Sequence, residues 1–335
     1  MRRRHLRYLF GIGCGMAFWG SLLQDETMRS PVVLGQGDHS FLWVHDWAQL
    51  PEGMSFGNTH GCVIVDSQDR VYVNTDTKNA VMVFEADGTY VGSWGEELAG
   101  GLHGMSIVRE GEEEVLYLTH IGLSQVFKAT LEGEILWSLG YPAESKKYAS
   151  ANEYRPTSIA VAGDGGFFVA DGYGKSWIHR YDKDRNYLGS FGGRGKEPGQ
   201  LRTPHGLWLE TEVGEPHLVV SDRGNQRLQR FDLEGNLIEV VEGHLRRPCH
   251  THGYRDELVV ADLDGRVTLL DRKGRLLTHL GENPIPELRG RNAVARDDWR
   301  PGEFLAPHCA NWDSKGNLYV MDWVSAGRVN KLRRR

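Results

Sequence analysis

Four histidines recur in one local setting: "NTHGCVIVD" at His60, "GLHGMSI" at His103, "TPHGLWL" at His205 and "APHCANW" at His308. Each stands immediately before an apolar, strand-like run. A single histidine in such a place reads as a packed or turn-capping residue, but spacing sets three of them apart. His103 and His205 are separated by 102 residues, and His205 and His308 by 103. Three imidazoles delivered to one point by a repeating architecture would make a tripod for Zn²⁺ and leave a fourth tetrahedral position open for water or substrate. An open position goes with catalysis more than with structure.

Other residue types could complete that chemistry. Tyr173 lies in "ADGYGKS" and Arg223 in "SDRGNQR". A tyrosine beside a metal can have its pKa lowered from about 10 and act as a base, and an arginine fork can hold a carboxylate. Asp171 and Asp222, just before them, read as turn formers, because an aspartate recurs in the same place at Asp76, Asp262 and Asp322. The segment "PCHTHG" offers Cys249, His250 and His252, and Cys309 follows His308 directly. Together with His60 these could support the tripod or hold a further metal. Thiolates beside imidazoles favour zinc or copper over calcium.

The elements that would position these residues repeat along the chain. Six stretches share one plan: a first apolar run, a polar turn, a second run such as "FFVAD" or "LYVMD", a short loop, a third run, a "DxxG" turn and usually a fourth run ending in glycine. Alternating runs punctuated by glycine and aspartate are hairpin signals, and units of roughly 45 to 50 residues match propeller blades rather than helical solenoids. The expectation is an all-β, six-bladed β-propeller. Its last unit lacks a fourth strand, and "HSFLWVHDW", residues 39–47, would supply it and close the ring. The innermost strand of each blade lines the axial channel. His103, His205 and His308 then stand on blades 2, 4 and 6, related by three-fold rotation, while His60, Thr157 and the Cys249/His250/His252 cluster fall on blades 1, 3 and 5.

Composition places limits. The chain has 335 residues, 40% hydrophobic and 25% charged, with 42 glycines and 12 prolines, which suits a globular domain of this size. A net charge of −6 is spread along it and basic residues cluster only at the two ends, so nucleic-acid binding has little support. The four cysteines make no CxxC spacing, and no disulfide framework is expected. Residues 1–24, a basic stretch followed by "YLFGIGCGMAFWGSLL", read as a degenerate signal or anchor or as a disordered tail. A signal would make the protein secreted or periplasmic, an anchor would bring a membrane, and a tail would leave it cytoplasmic. The expected division is residues 1–38 as this N-terminal segment and 39–335 as the propeller, a monomer.

The six units resemble NHL repeats, and their arrangement is similar to peptidyl-α-hydroxyglycine α-amidating lyase, the lyase half of peptidylglycine amidating enzyme. The resemblance is strongest in "LHGMSI", in "FVADGYGKSWIHRYDKDRNYLGSFGGRGKEPGQLRTPHGLWL" with "SDRGNQRLQRF", and in "APHCANWDSKGNLYVMD". It implies a zinc on His103, His205 and His308, a catalytic tyrosine at Tyr173 and a substrate arginine at Arg223. It also implies a peptide or small-molecule substrate ending in α-hydroxyglycine, split to an amide and glyoxylate. Two departures stand out. The family has a second active-site arginine in the first blade, where this chain reads "VNTDTKN" around Asn74 and Thr75. It has an aspartate for a structural calcium directly after the third zinc histidine, where this chain has Cys309, which argues against calcium here. The reading is a metal-dependent lyase acting on an α-hydroxy-amide. A metal-dependent hydrolase and a non-catalytic NHL-type binding platform are the alternatives.

Overall fold

Short β-branched and aromatic runs separated by aspartate turns have one economical solution, the antiparallel meander. In blade 3 the strands Ser158–Val161, Phe167–Ala170, Trp177–Tyr181 and Tyr187–Gly192 pair in that order. The last turn is fixed by Asp182, whose carboxylate accepts the N–H groups of Asp184 and Asn186 at 2.9 and 2.8 Å. Asp232 and Asp271 make the same turn in blades 4 and 5, and Asp313 makes one of the same kind between the first two strands of blade 6.

The computed structural model describes residues 30–335, so the segment 1–24 read as signal, anchor or tail lies outside the described residues. Six antiparallel sheets form a six-bladed β-propeller, as the repeat predicts. Their innermost strands are Val63–Val65, Leu102–Glu110, Ser158–Val161, Pro204–Glu210, Pro248–Tyr254 and Pro307–Trp312. Each contacts the next, and the sixth contacts the first. Middle strands such as Val71–Asn74 and Phe167–Ala170 are buried along their whole length because neighbouring blades cover both faces. An outermost strand such as Leu237–Val241 is largely exposed. The core therefore sits between blades, and the channel along the axis is left to the first residues of the inner strands.

Closure follows the expected route. Phe41–Val44 pairs with Arg328–Arg334, in register Phe41 to Arg334 and Val44 to Lys331, so strands from opposite ends of the propeller share blade 6. Val33–Leu34 pairs with Phe41–Val44 in turn and makes that blade five-stranded. Two residues are too short to carry an alternation signal, so this strand was not legible in the sequence.

One expectation is overturned. Cys62 and Cys309 form a disulfide across a sequence separation of 247 residues, joining the innermost segments of blades 1 and 6. Spacing rules see only local cysteine pairs, whereas ring closure makes the first and last blades neighbours. Opening this link in the folded protein is expected to lower unfolding stability by about 2–4 kcal/mol, because the denatured chain regains the freedom of a very long loop. Denaturant midpoints with and without reductant measure it.

Candidate functional site

The recurrent aspartates do more than turn the chain. Each lies at the end of a second strand and accepts backbone N–H groups from the segment leading into the first strand of its own blade. Asp76 takes Asn58 N–H at 2.8 Å, Asp171 takes Arg155 at 2.8 Å, Asp222 takes Arg202 at 2.7 Å, and Asp322 takes Leu305 and Ala306 at 3.0 and 2.8 Å. Asp262 does the same for Arg246 and Arg247. Two or three residues later in each blade come His60, Thr157, His205, His308 and Cys249. The staple thus fixes where the axial side chain starts, and it selects Cys249 from the three candidates of blade 5.

His103, His205 and His308 converge on the axis, with ring centroids 4.6 to 4.9 Å apart. All three are buried. Each Nδ1–H donates to a backbone carbonyl of the following blade: His103 to Thr157 at 2.7 Å, His205 to Cys249 at 2.9 Å and His308 to Gly61 at 2.7 Å. A carbonyl can only accept, so all three rings carry their proton on Nδ1 and aim an Nε2 lone pair inward. Burial, aided by neighbouring positive charge, holds all three well below the ordinary histidine range, so they are neutral.

The glycine after the histidine has a steric reason. A Cβ on Gly206 would lie 2.4 Å from Cys249 O, and one on Gly104 would lie 2.6 Å from Thr157 O. Those are the carbonyls that orient His205 and His103. In blade 6 the residue after the histidine is Cys309, and its side chain is taken up by the bridge to Cys62. Gly206→Ala is expected to push the Cys249 carbonyl away from His205, with a cost of about 1–3 kcal/mol in stability. Any metal that His205 holds should then be bound roughly 10–100-fold more weakly, the usual effect of losing the hydrogen bond that supports a metal-binding imidazole. Denaturation and competitive zinc titration read the two effects separately.

Tyr173 Oη sits at the centre of the upper mouth, 2.9 Å from His205 Nε2, 3.3 Å from His103 Nε2 and 3.1 Å from His60 Nε2. Burial pushes its pKa up, and the Arg223 guanidinium, whose Nη1 donates to Tyr173 Oη at 3.4 Å, pulls the other way. Arg223 also reaches Cys249 Sγ at 3.7 Å. His60 packs edge-on to His103 and His308 at 5.0 Å, and burial lowers its pKa to about 4. Tyr173, Arg223 and His60 are therefore gathered with the three histidines.

These groups pose a proton-count problem that a cation would solve. Tyr173 has one O–H, which can satisfy one of the facing Nε2 lone pairs, and His308 Nε2 is buried without a hydrogen-bond partner. Donor atoms of His60, His103 and His308 lie within 4.8 Å of one another, as do those of His205, Cys249 and His308. Neutral imidazoles with oriented lone pairs and an orphaned nitrogen fit a divalent metal of the zinc class.

The remaining candidates are distributed along the channel. His250, whose Nδ1 meets Ala310 O at 3.1 Å, sits below the tripod with Cys62 and Cys309. His252 lies further on, in a cavity of about 230 Å³ with Trp208 and Trp312, away from the tripod. Of the first-blade residues, Asn74 donates to His103 O at 3.1 Å and Thr75 bonds Asn79 O, so no cation stands there. A cavity of about 140 Å³ beside His60 and Thr75 occupies this side of the mouth. Two residues escaped the sequence reading. Trp323 packs 5.5 Å from His60, and the charge of Arg247 acts on Tyr173. Trp323 follows the recurrent Asp322 as Arg223 follows Asp222, and that shared offset was the available signal.

Fold and site together define a six-bladed β-propeller with a cluster of histidines at one mouth of its axis. No family model matches the chain. It resembles curated amidating enzymes and NHL-repeat proteins. Over 272 residues it is 30% identical to peptidyl-alpha-hydroxyglycine alpha-amidating lyase 2 of Drosophila melanogaster, covering 76% of this chain and 60% of the fly protein. Over 150 residues it is 33% identical to peptidyl-glycine alpha-amidating monooxygenase A of Xenopus laevis, covering 42% of this chain and 15% of the frog protein. Over 229 residues it is 31% identical to NHL repeat-containing protein 3 of Mus musculus, covering 65% of this chain and 63% of the mouse protein. The chain thus spans less than two thirds of each of these relatives. Among solved structures, a streptogramin B lyase superposes with a TM-score of 0.57 at 13% identity, covering 84% of this chain and 97% of the other, which is a likeness of fold.

Proposed function

We propose that the chain is a metal-dependent carbon–nitrogen lyase that splits an α-hydroxyglycine-type amide into a primary amide and glyoxylate. The observation that carries this is the set of Nε2 lone pairs, fixed by three backbone carbonyls, facing a buried tyrosine hydroxyl and an arginine. Similarity to amidating lyases supplies the substrate class. His103, His205 and His308 would hold a zinc ion, which when bound would supply Lewis acidity toward the substrate's hydroxyl oxygen.

The chain's own residues divide the remaining work. Arg223 pairs with the carboxylate that becomes glyoxylate, and its position 3.4 Å from Tyr173 Oη sets that carboxylate beside the tyrosine. Tyr173 Oη, ionised against the pull of burial by the Arg223 guanidinium that donates to it and by the cation the histidines would hold, takes the proton from the substrate hydroxyl. The carbon–oxygen bond becomes a carbonyl, the carbon–nitrogen bond breaks, and the same proton goes to the amide nitrogen, so no water is consumed. His60, stacked on Tyr173 at 5.9 Å between ring centroids, holds the phenol in line.

The test is product analysis with an N-acyl-α-hydroxyglycine. Equal amounts of primary amide and glyoxylate, above the rate without protein, are expected. Formation of the carboxylic acid instead of the amide would mean hydrolysis, and no turnover by metal-loaded protein would move the chain to the class of binding platforms.

A further inference from the structure

Below the tripod the channel carries a second group of ligand atoms of a different chemical kind. The sulfurs of Cys62 and Cys309 and a ring nitrogen of His250 all lie within 4.8 Å of one another. Both cysteines are buried. His250 Nδ1 is engaged with Ala310 O, so Nε2 is the nitrogen left to face the sulfurs. The three come from the inner strands of blades 1, 5 and 6, or the residue just ahead of one. The pocket that borders Cys62 and His250 is also lined by His103, His205 and His308, and measures about 10 Å³, the room of one water.

We propose that Cys62, Cys309 and His250 form a redox-gated site for one thiophilic divalent cation of the zinc class. With the disulfide closed the sulfurs hold each other and the site is shut. An external dithiol opens it: two electrons and two protons convert the disulfide to two thiols while the dithiol becomes a disulfide. On metal binding both thiols release their protons to solvent. Two thiolates and an imidazole, with a water molecule that the pocket has room to admit as fourth partner, would match a tetrahedral sulfur–nitrogen set. Cys309 follows His308, and Cys62 follows Gly61, whose carbonyl orients His308. Whichever state the pair adopts, it braces the third imidazole from both sides.

The inference is independent of the lyase reading, because its test reads sulfur and not turnover. The full chain, oxidised or reduced with a phosphine and desalted without oxygen, is titrated with Co²⁺. A thiolate-to-cobalt charge-transfer band should be absent in the oxidised protein and saturate at one cobalt per chain in the reduced protein. It should persist in His205→Ala and Cys249→Ser. Cys309→Ser should lose it, and so should His250→Ala, which leaves the disulfide able to form and so reports even where the cysteine variant fails to fold. A reduced protein with Cys62 and Cys309 titrating as free thiols and no band would overturn the proposal. So would a band that survives both Cys309→Ser and His250→Ala, or one that disappears with Cys249.

Discussion

Replacing His205 with alanine should take bound zinc from about one ion per chain to none, and lyase turnover should fall at least about 10³-fold. The factor corresponds to about 4 kcal/mol of lost transition-state stabilisation, within what a Lewis acid at a developing carbonyl supplies. The fold should survive. What the substitution removes inside the protein is two hydrogen bonds, to Cys249 O and to Tyr173 Oη, a matter of about 1–3 kcal/mol, and the Asp222 staple upstream is untouched. Elemental analysis and product assay on the same preparation check both halves. Full metal content in the variant would mean that His60 or Cys249 completes the ligand set, since each already groups with the other histidines.

Tyr173→Phe separates proton transfer from metal binding. The ring still packs against His60 and His103, so the mouth keeps its shape. Only Oη is lost. Turnover should drop roughly 10²–10⁴-fold, the range for losing a positioned acid–base group, while metal content stays near wild type and KM changes little because Arg223 still meets the carboxylate. Single-turnover rates with the metal-loaded variant measure it. An unchanged rate would transfer the proton-accepting role away from Tyr173.

The sequence made the propeller legible because the blades repeat the same physical needs: alternation for the strands and, in every blade but the second, aspartate for the turns and at the second strand's end, where blade 2 has His120. It made His103, His205 and His308 legible because two-blade spacing is a linear quantity. Choosing Cys249 over His250 and His252 needed the staple from Asp262 to Arg247, a contact that spacing does not display. The Cys62–Cys309 bridge depended on the ring being closed, and Arg247 and Trp323 enter the site from loops whose direction is a tertiary property. His60 was visible as a repeat of the histidine pattern, but its contact with Tyr173 spans 113 residues and two blades.

The pairing of Phe41–Val44 with Arg328–Arg334 also sets an order of events in the cell. A ribosome must finish every other blade before blade 6 can be completed, and until then Phe41–Val44 waits as an exposed, unpaired edge. The tripod's third histidine stands on that last blade. Any metal held by the three histidines would therefore be loaded late, after synthesis and ring closure, and a stalled or truncated product would carry His103 and His205 without the partner that completes the centre.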